Sequence, residues 1–342
     1  MFDLKELCEV SARLGADRLL VQGPGGNTSL KIADRLWVKA SGRWLSEASE
    51  RPIFVPLALT AVRAALAAGN ADAFEFAIVR DRAEPGLRPS IETALHALMP
   101  HRAVIHAHAV NSMATAVLAN GRARAARALD GVVSWAWIDY RRPGIALADA
   151  VAHAMAGEMR DVLVLQNHGV VVGADTLELA EVRLRDVERL LELPLRLLTT
   201  PSADHYASHE SPAYEALVEV SGLAFDAELI RIVTTGALVP DQVVFLGGAV
   251  PACAPGETVE AAARRTQSAS GVAPALVLLP GVAAFAARER SQGADSLIAA
   301  LFEIARRIPH GAEVHALPAD AISELLGWEA EQYRLTLDPA RC

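Results

Sequence analysis

At 342 residues the chain is longer than one compact core usually takes, so a large domain with a smaller companion is the starting expectation. Its 52% hydrophobic content is ample for buried cores, and a net charge of −9 without a long basic block excludes a nucleic-acid-binding footprint. No run of about 18 uncharged apolar residues occurs, which excludes a membrane-spanning helix, and three widely spaced cysteines (Cys8, Cys253, Cys342) fit a reducing cytoplasm better than a disulfide framework.

The opening "MFDLKELCEVSARLGA" reads as an amphipathic helix with Asp3 as N-cap, and lacks the basic start and apolar run of a signal peptide. Gly23, Pro24, Gly25 and Gly26 make a flexible turn. "TSLKI" and "RLWVKA" read as strands joined around Ala33 and Asp34, "PIFVPL" as a third strand, and "LTAVRAALAAGN" as a helix ending near Gly69. "PSIETALHALMP" predicts a helix with Ser90 as N-cap, Glu92 in the first turn and Pro100 as its stop. The apolar strand "RAVIHAHAV" follows, then a helix through "NSMATAVLANG".

Beyond it, "VVSWAWIDYRR" reads as a strand and "GIALADAVAHAMAG" as a helix entered through Pro143 and Gly144. "DVLVLQNHGVVVGA" reads as two strands interrupted at Asn167, His168 and Gly169. A long charged helix, "LELAEVRLRDVERLLELPLRLL", breaks near Pro194. The polar, turn-rich "TTPSADHYASHESPAY" is the expected linker, which divides the chain into residues 1–200 and a smaller region, 201–342. In that region "DQVVFLGG" and "PALVLLPG" read as buried strands and "ADSLIAALFEIARRI" as an amphipathic helix. Strands alternating with helices and hairpins point to α/β or α+β layers.

Side chains two apart on a strand share a face, so His106 and His108 would project side by side from a stretch of Ala, Val and Ile. Each buried imidazole needs a partner, so the pair is either a polar detail of the core or a metal site. His168, at a break between apolar strands, adds a third imidazole, and three neutral imidazoles can bind Zn²⁺ or a similar ion with a position left open. Spacing alone does not bring His168 to the pair. Glu92 is either a first-turn acid favouring the helix dipole, or a general acid/base (or displaceable ligand) beside a metal. His96, one turn on, is expected to hydrogen-bond Glu92, and His101 and His153 read as surface or core residues. "GPGGN" matches neither nucleotide-binding glycine fingerprint, but Asn27, the "ASG" of residues 40–42 and Ser90 can supply donors to an oxyanion.

Taken in order, "GGNTSLK", "VKASG", "PSIE", "HAH" and "NHG" resemble the class II aldolase/adducin family, which includes fuculose-phosphate and rhamnulose-phosphate aldolases; the likeness spans residues 3–198. The resemblance implies His106, His108 and His168 as metal ligands, Glu92 as catalytic acid/base, and Asn27, Ser41, Gly42 and Ser90 as substrate-phosphate contacts. It also implies a three-layer α/β/α sandwich with a largely antiparallel central sheet, followed here by a smaller C-terminal α/β region, and a homotetramer with sites at subunit interfaces. The tail resembles the aldolase portion of fused aldolase/dehydrogenase proteins of rhamnose-type sugar breakdown; the chain carries no dinucleotide fingerprint, so the fused dehydrogenase is not expected in it.

Two positions depart from the family pattern. Ile91 stands where many members have a second serine, which removes one phosphate donor, and residues 110–137 contain no tyrosine. Tyr140 is the nearest, at an expected strand-to-helix corner, so the proton donor to a leaving aldehyde stays unassigned. The implied activity is metal-dependent cleavage of a sugar or sugar-phosphate aldol through an enolate, with Zn²⁺ as the expected ion and Mn²⁺ or Co²⁺ also accepted by imidazoles. Epimerisation, dehydration or decarboxylation would use the same enolate. A non-catalytic, adducin-like interaction module is the alternative from another class, and such relatives lack the metal-binding set.

Overall fold

In the computed structural model, which describes residues 4–69, 74–199, 202 and 206–340, the predicted strands before residue 175 form one sheet. They are β1 (Asn27–Ile32), β2 (Arg35–Lys39), β3 (Phe54–Ala58), β4 (Ala103–Ala107), β5 (Trp135–Ile138), β6 (Val162–Leu165) and β7 (Gly169–Ala174), in spatial order β3-β2-β1-β4-β7-β6-β5. Every neighbouring pair is antiparallel except β5 with β6. The expected cap Asp3 and part of the expected linker lie outside the described residues.

Helices cover both faces of this sheet. On one, α1 (Lys5–Ala16) and α7 (Leu177–Leu190) bring Leu7, Val10, Leu14 and Leu184 against Ile105 and Ala107 of β4. On the other, α2 (Leu59–Ala67), α3 (Thr93–Leu98) and α6 (Ile145–Met155) bury Val62, Leu95, Leu147 and Val151 against strand residues such as Val55 and Val104. Each such side chain contributes about 1.5–3 kcal/mol by leaving water. The result is a three-layer α/β/α arrangement around a mostly antiparallel sheet. β4 is buried along its whole length, so a polar residue on it has only protein neighbours or a ligand to satisfy it.

Cα packing divides the chain into two units: the chain up to Ala116 with Gly121–Glu192, and Val117–Asn120 with the chain from Leu193. The helix expected to run through Gly121 therefore stops at Ala116 as α4 (Val110–Ala116), and a separate helix, α5 (Gly121–Leu129), follows residues 117–120. Those four residues belong to the second unit, where His315 N donates to Val117 O and Ala119 N to Glu313 O.

The second unit holds a three-stranded antiparallel sheet of β8 (Tyr214–Ala216), β9 (Leu276–Leu279) and β10 (Ala283–Ala287), in order β8-β10-β9. Around it lie α8 (Ala227–Thr235), α9 (Pro240–Leu246), α10 (Val259–Ser270), α11 (Gln292–Ala305), α12 (Ala319–Gly327) and α13 (Glu329–Leu337). The strand predicted over "DQVVFLGG" is helix α9. Pro240 stands at its first turn with Asp241, and Gly247 ends it in the left-handed region at φ 83°. These punctuation signals outweigh the short apolar run, which by itself does not separate a buried strand from a buried helix.

Candidate metal centre

Register builds the centre. β1 pairs with β4 so that Asn27 stands directly opposite His106, and Ser29, two residues on, shares the face of Asn27. β7 pairs with the other edge of β4, with His106 opposite Val171. His106 Nδ1 lies 3.1 Å from Val170 O; a carbonyl only accepts, so Nδ1 carries the proton and Nε2 keeps a lone pair.

β4 ends at Ala107, so His108 stands just past the strand, yet its Nε2 lies 3.2 Å from His106 Nε2. The third imidazole arrives from the β6–β7 turn, and the three letters of "NHG" each have a physical reason. Asn167 adopts φ 53°, a left-handed conformation that asparagine tolerates better than most residues. His168 follows with its side chain buried. At Gly169 a Cβ would meet Ala107 O at 2.4 Å, so only glycine lets β7 come this close to the end of β4. That approach carries His168 to the pair: the three ring centroids are 4.9, 5.0 and 5.2 Å apart.

Glu92 closes the cluster. It is the residue before α3 rather than a first-turn residue, and Ser90 is not the cap; Ser90 Oγ accepts from Glu92 N at 3.2 Å in the turn leading into the helix. Glu92 Oε2 lies 3.3 Å from His106 Nε2, and Oε1 lies 3.2 Å from His168 Nε2. One ligand atom from each of Glu92, His106, His108 and His168 falls within 4.8 Å of all the others, and all four residues are buried.

The donor set fits a divalent cation. Metal–nitrogen bonds of about 2.0–2.1 Å at tetrahedral angles hold donor atoms about 3.3 Å apart, close to the separations seen here. Glu92 Oε1 is buried, faces His168 Nε2 and has no well-aligned hydrogen bond among the described residues. Burial pushes the His106 imidazole down to about 3, despite the opposing pull of Glu92, so it is neutral near pH 7. Burial works to raise the Glu92 carboxyl, but His106 and then His168 overturn it and hold the group well below the usual carboxylate range. A neutral His106 beside a carboxylate suits cation binding.

A family described as "Class II Aldolase and Adducin N-terminal domain" matches residues 5–195. The chain belongs to this class II aldolase/adducin family. It is 30% identical over 190 residues to an uncharacterized oxidoreductase, YuxG, of Bacillus subtilis (strain 168), covering 51% of this chain and 27% of that protein. The chain thus spans well under a third of that curated relative. Among solved structures it is similar to the N-terminal class II aldolase domain of a conserved protein from Thermoplasma acidophilum, with 27% identity, 56% of this chain and 92% of that chain covered, and a TM-score of 0.48. It is also similar to L-fuculose-1-phosphate aldolase from Thermus thermophilus, with 15% identity, 54% and 90% coverage, and a TM-score of 0.37.

The anion-contact residues implied by the family pattern are only partly turned toward a ligand. Asn27 Nδ2 donates to Glu92 Oε2 at 2.8 Å and to Ser90 Oγ at 3.3 Å, so its amide is engaged inside the protein. Ser41 N donates to Arg88 O and Ser90 N to Lys39 O, which leaves the two hydroxyls rather than these amides for an oxyanion. Gly42 adopts φ 72° in the loop that carries Ser41. His96 does not bond Glu92: its Nε2 bonds Asn27 Oδ1, and its Nδ1 pairs with Ser29 Oγ at 2.6 Å. His101 pairs with Asp161 at 2.7 Å, and Tyr140 lies between β5 and α6 with its N–H on Gln166 Oε1.

One residue escaped the sequence reading. Lys39 is buried at the end of β2 and donates to Pro24 O at 2.7 Å and Arg43 O at 2.6 Å, tying the glycine-rich turn to the loop after "ASG". A lysine in the otherwise apolar strand "RLWVKA" was the available signal.

Proposed function

We propose that this protein is a metal-dependent aldolase that cleaves a sugar or sugar-phosphate aldol. The observation that carries this reading is the convergence of three imidazoles and Glu92 in one buried cluster, within the segment that matches the family. His106, His108 and His168 would hold a divalent ion, Zn²⁺ first and Mn²⁺ or Co²⁺ as alternatives. When bound, that ion supplies Lewis-acid stabilisation of an enolate oxygen.

The rest of the chemistry falls to the chain. Glu92, as a carboxylate, takes a proton from the substrate hydroxyl whose C–C bond breaks, and returns one to the enolate carbon. The hydroxyls of Ser41 and Ser90, with the loop at Gly42, orient the oxyanion end of the substrate. With Asn27 turned inward and Ile91 in place of a second serine, this end is donor-poor, so both free and phosphorylated sugars belong in the assay. A homotetramer follows from the family resemblance, and a cytoplasmic setting from the sparse cysteines. Epimerisation, dehydration and decarboxylation on the same cluster are the competing reactions.

The test is metal content together with turnover. Purified protein is expected to carry about one transition metal per chain, lost in His106→Ala, because three histidines make the site. Glu92→Gln should keep the ion and abolish cleavage of a panel of ketoses and ketose 1-phosphates. Protein that stays metal-free after incubation with Zn²⁺ or Mn²⁺ would sink the reading, and turnover by Glu92→Gln would remove Glu92 from its role.

A further inference from the structure

A line of buried polar side chains runs from the cluster between β1 and α3. Ser29 Oγ meets His96 Nδ1, His96 Nε2 meets Asn27 Oδ1, and Asn27 Nδ2 meets Glu92 Oε2. Ser29 and His96 are 0% exposed, Asn27 3% and Glu92 6%, so water sets none of these contacts. The sheet register puts Ser29 and Asn27 on one face of β1, and α3 carries Glu92 at its entrance with His96 one turn further.

The orientation of Asn27 sets the protons in the line: its Nδ2 donates to Glu92 Oε2 and Ser90 Oγ. The Asn27 carbonyl then faces His96, whose Nε2 must donate; His96 Nδ1 must accept, and the Ser29 hydroxyl must donate to it. An asparagine amide is nearly symmetric in shape, and turned over it would aim Oδ1 at the Glu92 carboxylate and repel it. Glu92 and Ser90 meet the Nδ2 side of Asn27, and His96 holds its Oδ1 side in place from the other end. Donors in series also polarise one another, and the chain ends on the charge that benefits.

We propose that His96 is a positioning residue that, through Asn27, holds the Glu92 side chain aimed at the three-histidine cluster. Burial pushes the His96 ring down to about 3, which keeps it neutral with one donor and one acceptor nitrogen, as the chain requires. Asn27 is on this account an orienting group for Glu92. The inference rests on the metal-centre reading only for what Glu92 then does; the orientation itself holds with or without an ion.

Two measurements on the full chain test it. The first uses metal-free protein with ¹⁵N-labelled histidine, the His96 signals being identified by their loss in His96→Gln. His96 is expected as the Nε2–H tautomer with a slowly exchanging Nε2 proton that disappears in Asn27→Leu; the Nδ1–H tautomer would overturn the proposal without any variant having to fold. The second titrates Co²⁺ and follows its visible bands. His96→Leu should still saturate at one ion per chain, with affinity lowered about 10- to 100-fold and the bands shifted, while His96→Gln, which keeps a donor, restores both. A folded His96→Leu with wild-type bands and affinity would overturn the proposal. If wild-type protein binds no Co²⁺, the metal-centre reading fails, and the tautomer still decides the role of His96.

Discussion

Gly169 shows how one hydrogen in place of a methyl sets the geometry of the centre. The Cβ of an alanine there would meet the Ala107 carbonyl at 2.4 Å, and backbone on both sides cannot move aside cheaply. Gly169→Ala should therefore cost about 1–3 kcal/mol in urea unfolding, as overpacking does, and should also weaken metal binding, since the strand end it displaces runs into His108. Unchanged stability and unchanged metal affinity would show that the close approach is not needed. Much at this scale was legible in advance. Residue types raised Glu92 and the three histidines as candidates, because few side chains ligate metals or move protons, and the family resemblance joined them into one set. The orientation of Asn27 was not legible: whether an amide faces a substrate or a neighbouring carboxylate depends on partners 63 to 69 residues away.

Among the elements, α4 begins two residues after His108, and its entrance is held from a distance. Glu188 of α7 is buried and accepts from the N–H groups of Asn111 and Ser112, each at 2.9 Å. A carboxylate at a helix start satisfies orphaned donors and meets the positive end of the helix dipole. Glu188→Ala leaves buried donors unpaired, and the expected loss is about 2–3 kcal/mol in denaturant unfolding, with Glu188→Gln recovering part of it. Equal stability of the alanine variant would mean that water takes over the role. Periodicity located most elements well, since both faces of the sheet are apolar and the helices are amphipathic. It failed at α9, where proline and glycine signals decided against a strand, and at α5, whose Ala/Arg pattern gave little apolar contrast, and it left β8, β10, α8, α10, α12 and α13 without a prediction.

For the molecule as a whole, the most telling titration is that of Lys31. Its Nζ is buried on β1 and donates to Met99 O at 2.8 Å and His101 O at 2.6 Å, stitching the segment before β4 to the sheet. Burial first, and then Arg63, lowers its value from 10.5 to about 7. Between these two values the unfolded chain binds a proton that the folded one does not, so this group makes stability rise with pH from about 7 upward, its cost being fully present below. Cys253 opposes this only above its ordinary 9.0, since burial raises it to about 11. Urea unfolding between pH 7 and 9 should therefore show a rise in stability that Lys31→Met flattens; parallel curves for the two proteins would refute it.

The sequence by itself determined the chemistry available to this protein: the ligand-type residues, their order along the chain, the apolar strands that bury them and the family they mark. Those are local or cumulative properties, written in composition and spacing. Only the tertiary structure decided that His168 reaches the His106–His108 pair, that Glu92 joins them, and that His96 answers to Asn27 rather than to Glu92. These contacts depend on antiparallel register between strands far apart in the chain and on how closely their backbones can approach, and neither property belongs to any one segment.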